Sequence, residues 1–150
     1  MQKIIAKNIY ATALFFGLSL LSTVSNALEF EKAKVKINEI ELTVEYAKSF
    51  EQRARGLMYR KELCNSCGML FNFSRPRIGG MWMKNTFIPL DVAYIDEQGV
   101  ITDILGMQPH DLTSINSSTE VLYALEMNLG WFAKHNVKVG DVVNVKIPNK

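Results

Sequence analysis

Ala33-Lys34-Val35-Lys36-Ile37 and Ile40-Glu41-Leu42-Thr43-Val44-Glu45-Tyr46, parted by Asn38-Glu39, decide the fold class. Apolar residues alternate with charged or polar ones through both runs. Successive side chains of a strand point to opposite faces, so each run buries one face and wets the other. Two such runs joined by a two-residue polar turn read as a β-hairpin. Downstream, Gly68–Phe73 and Asp91–Asp96 read as strands and Met81–Lys84 as extended chain. Glu97-Gln98-Gly99 is a turn, and Val100–Met107 is the hairpin partner of the strand before it. Val121–Leu129 is an apolar run holding Glu126, and Asp141–Ile147 is the last strand. Arg60–Cys67, Ser74–Gly80 and Gln108–Thr119 carry the polar, proline and glycine signals of loops.

Helical signals are few. Ser49-Phe50-Glu51-Gln52 is a capping box, with hydroxyl and amide placed to satisfy each other's backbone N–H. It predicts a helix of about three turns running through Met58, with Phe50, Ala54, Leu57 and Met58 on one face. Trp131–His135 reads as a helical turn. The expected fold is therefore mainly β with one or two short helices (α+β), in a compact barrel- or sandwich-like arrangement.

The chain has 150 residues, 48% of them hydrophobic and 21% charged, enough for a single packed domain and too apolar for a disordered one. Residues 1–27 read as a signal peptide. Lys3 and Lys7 supply the positive start, Ala11–Leu21 the apolar stretch and Ser25-Asn26-Ala27 the cleavage signal. Cleavage after Ala27 would leave 28–150 as one exported domain, in the periplasm or cell envelope of a bacterium or secreted, with no stable membrane insertion. The rival reading is a retained anchor, because the uncharged run Asn8–Leu28 is long enough to span a bilayer. Loss of Lys3 and Lys7 would also bring the formal charge from +2 to zero, so the sequence predicts no nucleic-acid partner. Arg53–Lys84 is nonetheless rich in basic residues and Asn85–His135 in acidic ones. That asymmetry reads as an anion site or as solvated faces.

Several segments resemble the DUF192 family, also called UPF0127. They are Arg55-Gly56-Leu57-Met58, Gly68-Met69-Leu70-Phe71, Trp82-Met83-Lys84-Asn85-Thr86 and Pro89-Leu90-Asp91. Val121-Leu122-Tyr123, Glu126, Gly130 and Gly140-Asp141 follow in order, so the likeness covers about residues 33–147. The resemblance implies a compact, mainly β, jelly-roll-related fold with a short helix. It implies no reaction. Cys64 and Cys67 stand outside the general pattern of the family.

In an exported chain, Cys64 and Cys67 are expected to form a disulfide. A redox pair would favour the first cysteine at a helix N-terminus, and an apolar strand follows here instead. A metal reading would have to recruit His110 and His135, whose spacing fits no compact zinc module. Met58, Met69, Met81, Met83, Met107 and Met127 could offer soft ligands to copper, but scattered methionines more often fill cores. No metal and no cofactor is therefore expected.

Trp82, Lys84, Asn85, Thr86, Asp91 and Glu126 are the candidate ligand-binding residues. A buried carboxylate needs a partner or its pKa rises, and Lys84 is the partner expected for Glu126. The functional reading is a polar pocket that takes a small-molecule or anionic ligand. The structural reading is a buried Lys–carboxylate pair. No phosphate-binding glycine loop and no nucleophile elbow is present. The first functional expectation is a small-ligand-binding or accessory domain of the envelope. The others are an enzyme using Lys84 and carboxylates for acid/base work, and a metal or thiol-redox protein using Cys64, Cys67 and methionines.

Overall fold

The computed structural model describes residues 28–147; the leader reading of residues 1–27 lies outside them. The described residues form seven strands and two short helices. In order they are β1 (Glu31–Ile37), β2 (Ile40–Ala47), α1 (Phe50–Arg55), β3 (Gly68–Met81), β4 (Leu90–Ile95), β5 (Ile101–Met107), β6 (Ile115–Asn128), α2 (Trp131–Lys134) and β7 (Val143–Lys146).

The strands form one sheet in the order β5-β4-β6-β3-β2-β1-β7. The hairpin at Asn38-Glu39 forms with Ile37 opposite Ile40. Every pairing is antiparallel except β2 with β3. A parallel pair needs a crossover rather than a tight turn, and residues 48–67 supply it, carrying α1. The sheet curls into a half-barrel, and at one end its outer strands meet. Val100 bridges Val142, and the Val143 N–H donates to the Gly99 carbonyl at 2.7 Å.

Alternation along the strands sorts the core onto two faces. Val35, Val44, Leu70, Ala93, Leu125 and Met127 pack on the concave side with Trp131 and Phe132 of α2. Met69, Phe71, Val92, Tyr94 and Ala124 pack on the other side, under Leu57, Met83 and Ile88. Every residue of β4 is buried, because both its faces are covered.

Four expectations change. Ser74–Gly80 is part of β3, which runs for 14 residues. Its pairing with β6 shifts register between Asn72 and Arg77, so Ser74 and Pro76 are absorbed in a bulge where proline owes no ladder hydrogen bond. Within Gln108–Thr119, β6 already begins at Ile115. Met81 ends β3, and the following residues turn rather than extend. The capping box forms as expected, with the Gln52 N–H on Ser49 Oγ at 3.1 Å. The helix, however, has six residues, because Gly56 takes φ 46° and stops it.

Candidate functional site

Glu126 lies in β6, opposite Met69 of β3 and Val92 of β4. It shares a face with Ala124, among the apolar residues outside the curl. Only 4% of it is exposed. No described residue forms an ion pair with it. Removing a carboxylate from water disfavours its charged form. Burial alone pushes the Glu126 carboxyl up from 4.5 to about 8, so at neutral pH it is mostly a neutral acid.

Above Glu126 opens a cavity of about 200 Å³. Its apolar lining comes from Phe50, Ala54 and Leu57 of the crossover, Phe71 and Phe73 of β3, and Trp82 beyond the end of β3. Its mouth is cationic, with Arg53, Arg55 and Arg77. Arg53 fixes the helix in place by donating to the Lys48 carbonyl at 2.6 Å and the Asn72 carbonyl at 3.0 Å. Arg55 lies 4.6 Å over the Tyr59 ring and Arg77 5.6 Å over the Phe73 ring. Arg55 and Arg77 therefore hold their positions by stacking and keep their charges available to an anion.

The six candidate residues separate. Trp82, Thr86 and Glu126 line the cavity. Lys84 does not reach Glu126: it is exposed and sits 5.1 Å over the Trp82 ring. The expected Lys84–Glu126 pair is thus absent. Asn85 turns the chain at φ 53° and donates from Nδ2 to Tyr59 Oη at 2.9 Å. Asp91 is on the other face of the sheet from Glu126. Its Oδ2 accepts the Gly130 N–H at 2.7 Å, which secures the turn into α2. Burial raises its pKa and that hydrogen bond opposes the rise.

The arginines at the mouth and the aromatic residues of α1 and β3 were not among the candidates. Two signals pointed toward them: the basic run from Arg53 to Lys84, and an apolar helix face. That face does not enter the core. Phe50 and Ala54 are exposed, Met58 is half-buried and Leu57 alone is buried.

Lys84→Met is expected to cost no more than about 1 kcal/mol, the scale of an exposed cation–π contact. In a double-mutant cycle with Glu126→Gln the coupling should lie near zero. Urea melts of the three variants check this, and a coupling of several kcal/mol would restore the buried pair.

Cys64 and Cys67 are joined as a disulfide. Asn128 Nδ2 donates to the carbonyls of Leu63 and Cys64 at 3.2 and 3.0 Å, tying that loop to the end of β6. Among the described residues no group of three His, Cys, Asp or Glu side chains converges as a metal site would require. Met58 and Met81 reach the cavity wall, whereas Met69, Met83, Met107 and Met127 are buried in the core. Among the described residues, no helix is long and apolar enough to cross a membrane.

A family model described as "Uncharacterized ACR, COG1430" (DUF192) matches residues 33–145. Two solved structures are similar. One is a protein from Sinorhizobium meliloti 1021, provisionally described as a transcription regulator. It is 37% identical, with a TM-score of 0.76, and the match covers 79% of this chain and 97% of that one. The other is a protein of unknown function from Novosphingobium aromaticivorans DSM 12444. It is 30% identical, with a TM-score of 0.71 over 81% of this chain and 89% of that one. No curated protein matches the chain.

Proposed function

The chain belongs to the DUF192 family, and from that premise we propose that it is a small-ligand-binding domain of the cell envelope whose site is the cavity above Glu126. The observation that carries the reading is a buried carboxyl, without a counter-ion among the described residues, lining a cavity that mixes aromatic and aliphatic side chains with arginines. Such a group costs stability unless it is used. A neutral carboxyl can donate one hydrogen bond and accept others, so it suits the polar end or a polar substituent of an otherwise apolar molecule. Arginines at the mouth suit an anionic group at the other end. The ligand class is therefore a small amphipathic anion.

A probe of that chemistry is 1-anilinonaphthalene-8-sulfonate, an aromatic body with a sulfonate. It should bind the native protein saturably, with its emission moved to the blue. Ala54→Trp places bulk at an exposed wall position and leaves the core alone. It should weaken probe binding at least about tenfold, which is 1.4 kcal/mol. Unchanged binding in that variant would reject the cavity as the site.

A carboxyl that titrates near neutrality would also serve an acid catalyst. The ionisable side chains that share the cavity with it are arginines, which stay charged and exchange no protons at ordinary pH. Binding is therefore better supported than acid/base chemistry. A nucleic-acid role is less supported still. The helices have six and four residues, too short for a recognition helix.

Export is part of the proposal. It rests on the charge and small-residue pattern of Lys3–Ala27, and a disulfide is consistent with an oxidising compartment. Protein isolated from the envelope fraction should begin at Leu28 by mass and carry no thiol that labels without reduction. Replacing both cysteines with Ser should lower stability by about 2 kcal/mol, the loop-entropy value for so small a ring. A full-length, membrane-embedded chain with two reactive thiols would overturn both points.

A further inference from the structure

The rim of the cavity carries a second feature that ligand binding does not explain. Phe50, Tyr59, Trp82 and Phe87 are 74%, 53%, 46% and 46% exposed. Their exposure is built in. In the segment after β3, Met83, Thr86 and Ile88 are buried while Trp82, Lys84 and Phe87 face out. Hydrogen bonds hold that segment: Met83 N–H to the Asp111 carbonyl at 2.8 Å, Tyr59 N–H to the Asn85 carbonyl at 2.8 Å, and His110 N–H to the Thr86 carbonyl at 3.2 Å.

The four rings lie around one side of the cavity, linked through Arg55 and the Tyr59–Phe87 contact. Phe50 and Trp82 flank the cavity mouth. Arg55 connects that mouth to Tyr59, and Tyr59 meets Phe87 edge-on at 6.5 Å between centroids. Cations are interleaved with them: Arg55 over Tyr59, Lys84 over Trp82, and the exposed Arg77 across the mouth. Glu51 is the acid on α1. Exposed aromatic rings interleaved with basic side chains make a face that fits the interface of an anionic bilayer, where rings reach the headgroup level and cations meet lipid phosphates.

The chain enters the described residues next to α1, for the Glu29 carbonyl accepts from Gln52 Nε2 at 2.8 Å.

We propose that the Phe50–Tyr59–Trp82–Phe87 rim docks on the surface of an anionic membrane, with the mouth of the cavity turned toward the lipid. This goes beyond the ligand-binding reading: Phe50 and Trp82 border the cavity, whereas Tyr59 and Phe87 lie outside it and serve docking alone. The dye titration is performed without vesicles, so either reading can fail while the other stands.

The test uses the full chain and its own fluorescence. There are two tryptophans, and Trp131 is buried against His135 with ring centroids 4.1 Å apart. A change on docking therefore reports Trp82, and a Trp82→Phe variant confirms the assignment. Vesicles of phosphatidylcholine carry brominated acyl chains, with or without phosphatidylglycerol. With phosphatidylglycerol, Trp82 emission should move to the blue, be quenched by bromine and be shielded from acrylamide. Arg55→Gln with Arg77→Gln should weaken partitioning about thirtyfold, because each basic residue near an anionic surface adds a comparable increment. Both arginines are exposed, so the variant tests charge rather than folding.

Three outcomes would overturn the proposal. Trp82 stays open to acrylamide on vesicles that the chain binds, which leaves attachment to the N-terminal segment. Vesicles without phosphatidylglycerol act equally well. A soluble glutamate- and leucine-rich peptide shields Trp82 while vesicles do not, which makes the face a protein-docking surface.

Discussion

Raising the pH from well below 4.5 to well above 8 is expected to cost the folded protein about 5 kcal/mol, and Glu126→Gln is expected to abolish most of that loss. The carboxyl has an ordinary value of 4.5 and titrates at about 8 in the fold, with burial as the cause. The folded state therefore keeps a proton that the unfolded chain releases between those values. Where the folded state holds more protons, stability falls as pH rises. The stabilising contribution of protonated Glu126 is fully present below pH 4.5 and is lost as pH rises through 8. A difference of 3.5 pH units at 1.36 kcal/mol each gives the size of about 5 kcal/mol. That is comparable with the whole stability of a small domain, roughly 5–15 kcal/mol. Asp91 is raised as well and contributes in the same direction. Asp103, Asp111, Asp141 and Glu51 are lowered, and their contributions disappear on the acid side as pH falls. Stability should consequently peak in mildly acidic solution. Urea midpoints of wild type and Glu126→Gln across this window check the sign. An equal slope in both would mean that the carboxyl is hydrated through the cavity and carries little of the burial cost.

Gly68→Ala is expected to destabilise by about 3 kcal/mol, and Gly68→Val by more. A Cβ added at Gly68 would lie 2.3 Å from Met127 Sδ and 2.5 Å from the Glu126 carbonyl oxygen. The thioether can swing aside, but the carbonyl belongs to the β6 backbone that pairs with β3. Relief requires the two central strands to part, and overpacking of that kind costs at the upper end of the usual 1–3 kcal/mol. The site also sits beneath the floor of the cavity, so dye binding should weaken along with stability. Gly130 is the contrasting position. It has φ 81° and nothing within 4 Å of its missing Cβ. Gly130→Ala meets backbone strain alone, about 1–2 kcal/mol. Denaturant curves that rank Gly130→Ala above Gly68→Ala would contradict the close packing of β3 on β6.

Local chemistry made much of the fold legible from residues alone. Alternation in Ala33–Tyr46 gives the β1–β2 hairpin because a half-buried strand has no other way to sort its side chains. Ser49 and Gln52 give the helix start, since both partners of the capping box lie within four residues. The Trp82–Asp91 block, with Gly68-Met69-Leu70-Phe71 ahead of it, gives the family. Each of these signals is complete within a short stretch of chain.

The site could not be read in that way, because its members are brought together by register. Asp91 and Val92 are neighbours on β4 and face opposite sides. Glu126 pairs with Val92 and not with Asp91. One residue of slip between β4 and β6 would have put both carboxyls on one face. Nothing near Val121–Leu129 fixes that register; the pairing with β3 and β4 does. The same holds for Ser74–Gly80, whose loop-forming residues become a bulge only because β6 runs alongside. It holds for α1, whose apolar face borders the cavity instead of entering the core. Sequence by itself determined the β1–β2 and β4–β5 hairpins, the helix start and the family, all encoded within short stretches of chain. Tertiary structure alone decided that Glu126 lies unpaired beneath a cavity, that Lys84 stacks outside on Trp82, and that Asp91 serves the turn at Gly130. Those outcomes depend on long-range strand pairing, which a local pattern of polar and apolar residues does not specify.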